Sequence, residues 1–464
     1  MMVCTTSAAA LLSGAAIATS DGTLIEGALY LPEYQRPYRW AEKQLEGLLD
    51  DLRTFFSAEI KPEHDYYLGS VILHQQTCDG TRRLNIIDGQ QRLTTLALLA
   101  HCLKMSQYVP GLLYAAPESQ ARIRANLDLL AKRDLPSTID FERINVTLVI
   151  TRSEDDAYRF FETQNTGGVR LGGTDIIKAH HLRAVPPSRQ DEYATVWEDM
   201  GNLSPLVDAI MKNRRWHGLR FTPLASYSER IKVRDEIVEE LATTTGKARI
   251  DHAYRPVRFT HGADGWSQHL AAGGYAMRQP LNAGINTIHF LRYFHTLRRQ
   301  LLVDRSDPDL ARFHAAYDAL IVQADGSAYL RKLYDATLLL YTSQFGIKQL
   351  FEASLWLFRA VYSPRLGNEN VVRESTVQKF AKDSQLLDWI VGSHSHDELM
   401  AFLRSYPCKV DPSNLAETDS GVKVLHARMV QRYFGMPALS AERADVARTF
   451  DHAFCAAIKQ RTTA

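Results

Sequence analysis

The chain is predicted to be an α+β protein, with a mixed N-terminal domain over residues 1–185 and a mostly α-helical domain over residues 186–464. Three observations carry this expectation. Strand-like stretches alternate with helical ones from residue 20 to about 185. From about residue 190 onward the apolar spacing is helical nearly everywhere. Between the two regions lies Val185-Pro186-Pro187-Ser188, which breaks a helix and marks a soft boundary.

The elements follow in order. The Ala-rich stretch Ser7 to Thr19 lacks a basic flank and is broken by Ser13-Gly14, so it reads as a first helix and turn rather than an export signal. Leu24–Leu31, Tyr67–Gln75, Leu84–Ile87 and Asn145–Thr151 read as strands, the last from the alternation Ile144, Val146, Leu148, Ile150. Helices are expected from Glu42, from Leu93 and over about Pro117 to Lys132. Phe160 to Gly168 should form a helix with a glycine stop, and Thr174 or Asp175 can cap the next one. In the second region, helical periods run over Ile288–Leu302, Leu310–Val322, Phe345–Val361, Val377–Ile390, Val422–Phe434 and Ala441–Ile458. Trp356, Phe358, Tyr293 and Phe294 lie on these runs as expected core residues. No repeat period is visible.

Composition bounds the function. The chain has 464 residues, 45% hydrophobic and 23% charged, and is long enough for two or three domains. A formal charge of +1 excludes a wholly basic DNA-coating protein, so nucleic-acid contacts need a local patch. Lys212 to Phe221, which includes Arg214 and Arg215 and interleaves basic and aromatic residues, is one candidate; a solvated helix terminus is the other reading of it. The cysteines, at positions 4, 78, 102, 408 and 455, show neither metal spacing nor a disulfide framework, which favours a reducing cytoplasm. No run reaches the roughly 18 apolar residues of a membrane span.

The chemistry-bearing residues fall in three segments. Asp88-Gly89-Gln90-Gln91-Arg92 joins a strand to a helix, so its turn presents backbone N–H groups and a positive dipole end, with a carboxylate, two amides and a guanidinium beside them. Such a turn suits phosphate, although Asp88 and Gly89 can equally serve the turn alone. Tyr30 to Trp40 carries Tyr34, Gln35, Arg36 and Arg39 between two prolines that forbid a continuous helix, giving a rigid loop able to meet phosphate or stack on bases. The third segment, Phe160 to Lys178, sets Glu162 and Asn165, then Asp175 and Lys178, each three residues apart on a helix face.

Taken together, Tyr34-Gln35-Arg36-Pro37-Tyr38-Arg39-Trp40, Tyr67-Leu68-Gly69-Ser70-Val71, Asp88 to Thr95, Phe161 to Gly167 and Asp175 to Lys178 resemble the DUF262 family, the GmrS-type N-terminal domain of GmrSD restriction systems. The likeness covers residues about 20 to 185. It implies a ParB/sulfiredoxin-like fold and a nucleotide-binding or nucleotide-hydrolysing, DNA-sensing module in defence against phage. On that resemblance, Asp88, Gln90, Gln91 and Arg92 are expected at the catalytic centre. Gly89, Arg92, Thr94, Asn165, Asp175 and Lys178 are expected to hold nucleotide, and Tyr34, Gln35 and Arg36, with Arg214 and Arg215 of the basic patch, to meet DNA. The ligand would be an NTP (GTP, UTP, CTP or ATP), with Mg2+ as a candidate co-ligand.

Relatives often carry or pair with an HNH-type nuclease domain. No recognisable ligand set for one follows Asp251-His252, and His394 and His396 read as a helix start. The expected partners are therefore DNA, modified phage DNA in particular, and a separate HNH-type nuclease subunit, with an oligomer compatible and no membrane. The expected function is a nucleotide-dependent sensing subunit of a modification-dependent restriction system. A ParB-like nuclease acting alone and a non-catalytic DNA-binding scaffold are the alternatives.

Overall fold

The computed structural model describes residues 2–19, 22–57, 64–78, 80–136, 138–153, 156, 172–242, 251, 257–262, 265–270, 274–323, 328–368, 371–416, 418–439 and 442–463. It is a mixed α+β structure: the chain divides into a first unit, Met1–Asp199, built on a mixed sheet, and a second, Met200–Ala464, that is mostly helical.

The first unit is built on a five-stranded sheet of β1 (Met2–Ser7), β4 (Ala28–Tyr30), β5 (Tyr66–Cys78), β6 (Thr81–Asp88) and β7 (Ile144–Thr151), in the order β1-β7-β5-β6-β4. A short ribbon of β2 (Ile17–Ala18) and β3 (Leu24–Ile25) stands apart from it. β5 pairs antiparallel with β6 and parallel with β7, so these three strands bring distant parts of the sequence together at the sheet centre. The strand β1 precedes the expected first helix, α1 (Ala8–Ser13). Ser7 ends the strand and caps the helix, its hydroxyl accepting from Ala10 N at 3.1 Å.

Helices α2 (Glu42–Phe56), α3 (Gln90–Cys102) and α4 (Pro117–Ala131) pack with this sheet. α3 is buried on nearly every face, and its polar residues are buried with its apolar ones. Thr94 and Thr95 meet the cost of burial by donating back to Gln90 O (2.7 Å) and Gln91 O (2.8 Å). The unit closes with α5 (Gly173–Ala184) and α6 (Gln190–Asp199), which flank the Pro186-Pro187 turn.

In the second unit, α7 (Ser204–Arg215) and α8 (Arg230–Ala242) are followed by a hairpin, β8 (Val257–Gly262) with β9 (Gly265–Leu270), that apolar spacing did not suggest. The remaining helices are α9 (Ile285–Leu302), α10 (Ala311–Tyr317), α11 (Ala328–Phe345), α12 (Leu350–Gly367), α13 (Glu374–Ser384), α14 (Leu386–Gly392), α15 (His396–Ser405), α16 (Val422–Phe434) and α17 (Arg443–Thr463). The run expected as one helix over Phe345–Val361 is split at Gly346, whose φ of +78° lies in the left-handed region. α12 is apolar on nearly all sides and forms the core of this unit, with Trp356 and Phe358 fully buried. Among the described residues, no helix is long and apolar enough to cross a membrane.

Candidate functional site

The site begins where β6 turns into α3. Gly89 sits at φ +95°, and a Cβ there would lie 2.8 Å from Val71 Cγ2, so the sharp strand-to-helix turn requires glycine for both conformation and space. No side chain caps the start of α3. Its dipole end and first amides therefore face the loop above without a carboxylate of the helix's own to neutralise them.

Arg92 holds this turn against the neighbouring strand. Its guanidinium donates to Leu68 O (3.2 Å) and Ser70 O (2.6 Å), and lies 3.4 Å from Asp88 Oδ2. Space for it comes from a bulge in β5 between Tyr67 and Gly69, where Gly69 takes φ +121°. A Cβ at Gly69 would fall 2.0 Å from Arg92 Nη1. Tyr67-Leu68-Gly69-Ser70 and Asp88 to Arg92 are thus two halves of one joint.

The two glutamines that follow Gly89 have opposite surroundings. Gln91 is used up by the Tyr34–Trp40 loop: Oε1 accepts from Arg39 N (2.8 Å) and Trp40 N (3.1 Å), and Nε2 donates to Pro37 O (3.2 Å). Gln90 is 4% exposed, and neither its Nε2 nor its Oε1 has a hydrogen-bond partner. It lines a cavity of about 130 Å3 with Leu31, Pro32, Arg36, Pro37, Tyr114 and Lys178 among the walls. Leaving a buried amide unbonded costs on the order of 1–3 kcal/mol.

The first loop is folded inward. Tyr34 and Gln35 are buried, and Gln35 Nε2 donates to Ile87 O at the end of β6 (3.0 Å). Tyr38 is fully buried, its hydroxyl bonded to Thr95 Oγ1 (2.8 Å) and accepting from Asn126 Nδ2 (2.9 Å). Arg36 is half-buried; burial lowers its pKa, while Asp175 and Asp88 pull in the other direction. Thr94 shares a short hydrogen bond with Tyr114, whose phenol is pushed up to about 12 by burial and stays a neutral hydroxyl.

α5 supplies the remaining wall. Asp175 Oδ2 accepts from Gly172 N (3.2 Å), the N3-to-N-cap half of a capping box, and from Arg39 Nη1 (3.2 Å). Lys178 is 4% exposed, and its Nζ donates to Gln35 O (3.2 Å) and Glu198 Oε1 (2.5 Å). Asp88, Gly89, Gln90, Gln91, Arg92, Thr94, Gln35, Arg36, Asp175 and Lys178 are therefore brought together, whereas Asn165 and Glu162 lie outside the described residues. Sequence reasoning missed Glu33, Tyr114 and Glu198, which complete the cavity. No local pattern signals them, since the pairing of Glu198 with Lys178 depends on how α6 folds back on α5. Burial raises the Glu33 carboxyl, with Asp191 and Glu198 adding to the rise and Lys178 opposing it.

Arg214 and Arg215 belong to the second unit and face glutamates of α8. Arg214 Nε lies 2.7 Å from Glu240 Oε1, and its Nη1 donates to Met277 O and Gln279 O. Arg215 Nη2 lies 2.6 Å from Glu239 Oε2. Asp251 accepts from Tyr275 Oη and Asn286 Nδ2 and faces His289 Nδ1 at 2.8 Å, while His252 lies outside the described residues. His396 is the first residue of α15, bonded to Tyr341 Oη. Among the described residues, no group of three or more His, Cys, Asp or Glu side chains converges as a metal site.

Comparison with known proteins adds two matches. Residues 20–182 match the GmrSD restriction endonuclease, N-terminal domain, and this part of the chain is a domain of that type. Residues 189–418 match a family of unknown function, DUF7834. No curated protein matches the chain.

Proposed function

We propose that this restriction-system-related chain, whose residues 20–182 form a GmrSD-type N-terminal domain, is a nucleotide-dependent DNA-sensing subunit that binds and hydrolyses NTP and directs a separate nuclease. The observation that carries the reading is the Gln90 amide, buried at the start of α3 with neither polar atom bonded, on the wall of an open cleft. Gln91, Arg92, Gln35, Asp175 and Lys178 are each hydrogen-bonded while this amide is left unbonded, an arrangement suited to a ligand.

In this reading the phosphates lie against the uncapped start of α3, with Arg36 as counter-charge. Asp88, partly exposed one residue before the turn glycine, would hold a divalent ion or a water; Mg2+ typically takes one or two protein carboxylates and completes its shell with phosphate and water. Bound there, the ion would supply charge neutralisation as the phosphoryl group leaves. Arg92, Gln91 and Gln35 act one step removed, holding the turn and loop in register so that the amides of α3 point at a fixed place.

The test is NTP turnover by the purified chain with and without DNA, in wild type and Asp88→Asn. Turnover stimulated by DNA and lost in the variant supports the reading. Equal turnover in both proteins removes Asp88 from the chemistry, and tight DNA binding with no turnover under any condition favours the scaffold alternative.

A further inference from the structure

The cleft beside Gln90 has two chemically different sides. Glu33, Glu198 and Asp199 line one part of it, and among the described residues its lining cations are Arg36 and Lys178, the latter held 2.5 Å from Glu198. A triphosphate pushed into that part would meet carboxylates and a neutralised lysine, so phosphate is disfavoured there. The remaining walls are apolar and stiff: Leu31, Pro32, Pro37 and Pro117, with Leu113 at 81% exposure. The size, about 130 Å3, is close to the roughly 150 Å3 cavity known to take up a benzene ring.

Resting on the NTP reading above, we infer that this cleft takes the base of the nucleotide, and that the unbonded Gln90 amide is the specificity-determining group that reads the base edge. An amide offers one N–H donor beside one C=O acceptor, which matches the adjacent donor and acceptor on a base's pairing edge. The neutral base tolerates the acidic lining that would repel phosphate. The phosphates then run outward towards Arg36 and the start of α3, and Gln90 is a reader of the base rather than a positioner of water.

Because the Gln90 side chain has no hydrogen-bond partner among the described residues, its replacement removes no protein hydrogen bond. The experiment measures binding of the four NTPs and of inorganic triphosphate to the full chain by calorimetry, in wild type, Gln90→Ala and Gln90→Glu. Expected is a ranked preference among NTPs in wild type, which Gln90→Ala flattens with about a ten-fold or greater loss for the preferred one. Triphosphate binding stays unchanged. Gln90→Glu presents two acceptors and shifts the ranking towards guanine, whose edge carries two adjacent N–H donors. If both variants keep the wild-type ranking while NTP still binds, base reading by Gln90 is overturned and the nucleotide reading stands. If wild type binds neither NTP nor triphosphate, both are overturned.

Discussion

Replacing Gly69 by alanine should break the joint between β5 and α3, and the structure gives the size of the effect. Two costs add. A φ of +121° is open essentially to glycine, and holding alanine there costs about 1–3 kcal/mol. The new Cβ would also lie 2.0 Å from Arg92 Nη1, closer than any real contact, so the guanidinium must leave. Its bonds to Leu68 O and Ser70 O are lost with it. Hydrogen bonds from a charged donor contribute about 1.5–3 kcal/mol each, and the lower end applies to a side chain that keeps some contact with water. The total is about 4–6 kcal/mol, a large share of a domain's stability. The assay is thermal and urea unfolding of Gly69→Ala, Arg92→Ala and the double variant. In the Arg92→Ala background the steric term is gone, so Gly69→Ala should cost only its backbone strain, leaving a coupling of about 3 kcal/mol, the two lost bonds at the lower end. A Gly69→Ala protein as stable as wild type, or two effects that simply add, would refute the joint.

Four further outcomes follow. Gly89→Ala should lose stability through its φ of +95° and its contact with Val71, and Val71→Ala should restore part of the loss, the contact term alone; unfolding of both backgrounds measures it. Gln91→Ala should free the Pro37–Trp40 loop, lowering stability by about 2–4 kcal/mol and speeding trypsin cleavage after Arg39; an unchanged cleavage rate would remove the clamp. Burial pushes the Asp335 carboxyl up to about 6 despite the bond from Tyr317 and the nearby Arg331. The folded chain then holds an extra proton between the ordinary carboxylate range and pH 6, so stability falls as pH rises through that window, and Asp335→Asn should flatten the slope in pH-dependent unfolding. Arg215→Ala should cost stability by stripping Glu239 of its arginine, Glu240 keeping Arg214, while the salt slope of DNA binding stays the same; a shallower slope would assign this arginine to DNA.

Much of the first unit was legible because its signals are local. The alternation at Ile144, Val146, Leu148 and Ile150 becomes β7 with those residues buried, and Asp88-Gly89 becomes a strand-to-helix turn because glycine takes the positive φ. The strand β1 was missed, since its six residues are paired with β7 rather than marked by a clear alternation of their own. Helix α11 was missed because burial on many sides leaves no apolar period to read. The structure brings the described motif residues together, but which of them are bonded was not legible. Adjacent glutamines look alike in a sequence, and only the path of the Pro37–Trp40 loop decides that Gln91 is consumed while Gln90 is left unbonded.

What the sequence by itself determined is the residue set and the order of its elements: proline-bounded loop, glycine turn, helix start and a second capped helix. Those depend on φ preferences and periodicity, which act over a few residues. What only the tertiary structure decided is who partners whom. Arg92 lies over Gly69 because β5 bulges beside it, Lys178 meets Glu198 because α6 returns along α5, and among the described residues none supplies Gln90 a bond. Such pairings join residues tens of positions apart, and their energies depend on burial that no local stretch of sequence records.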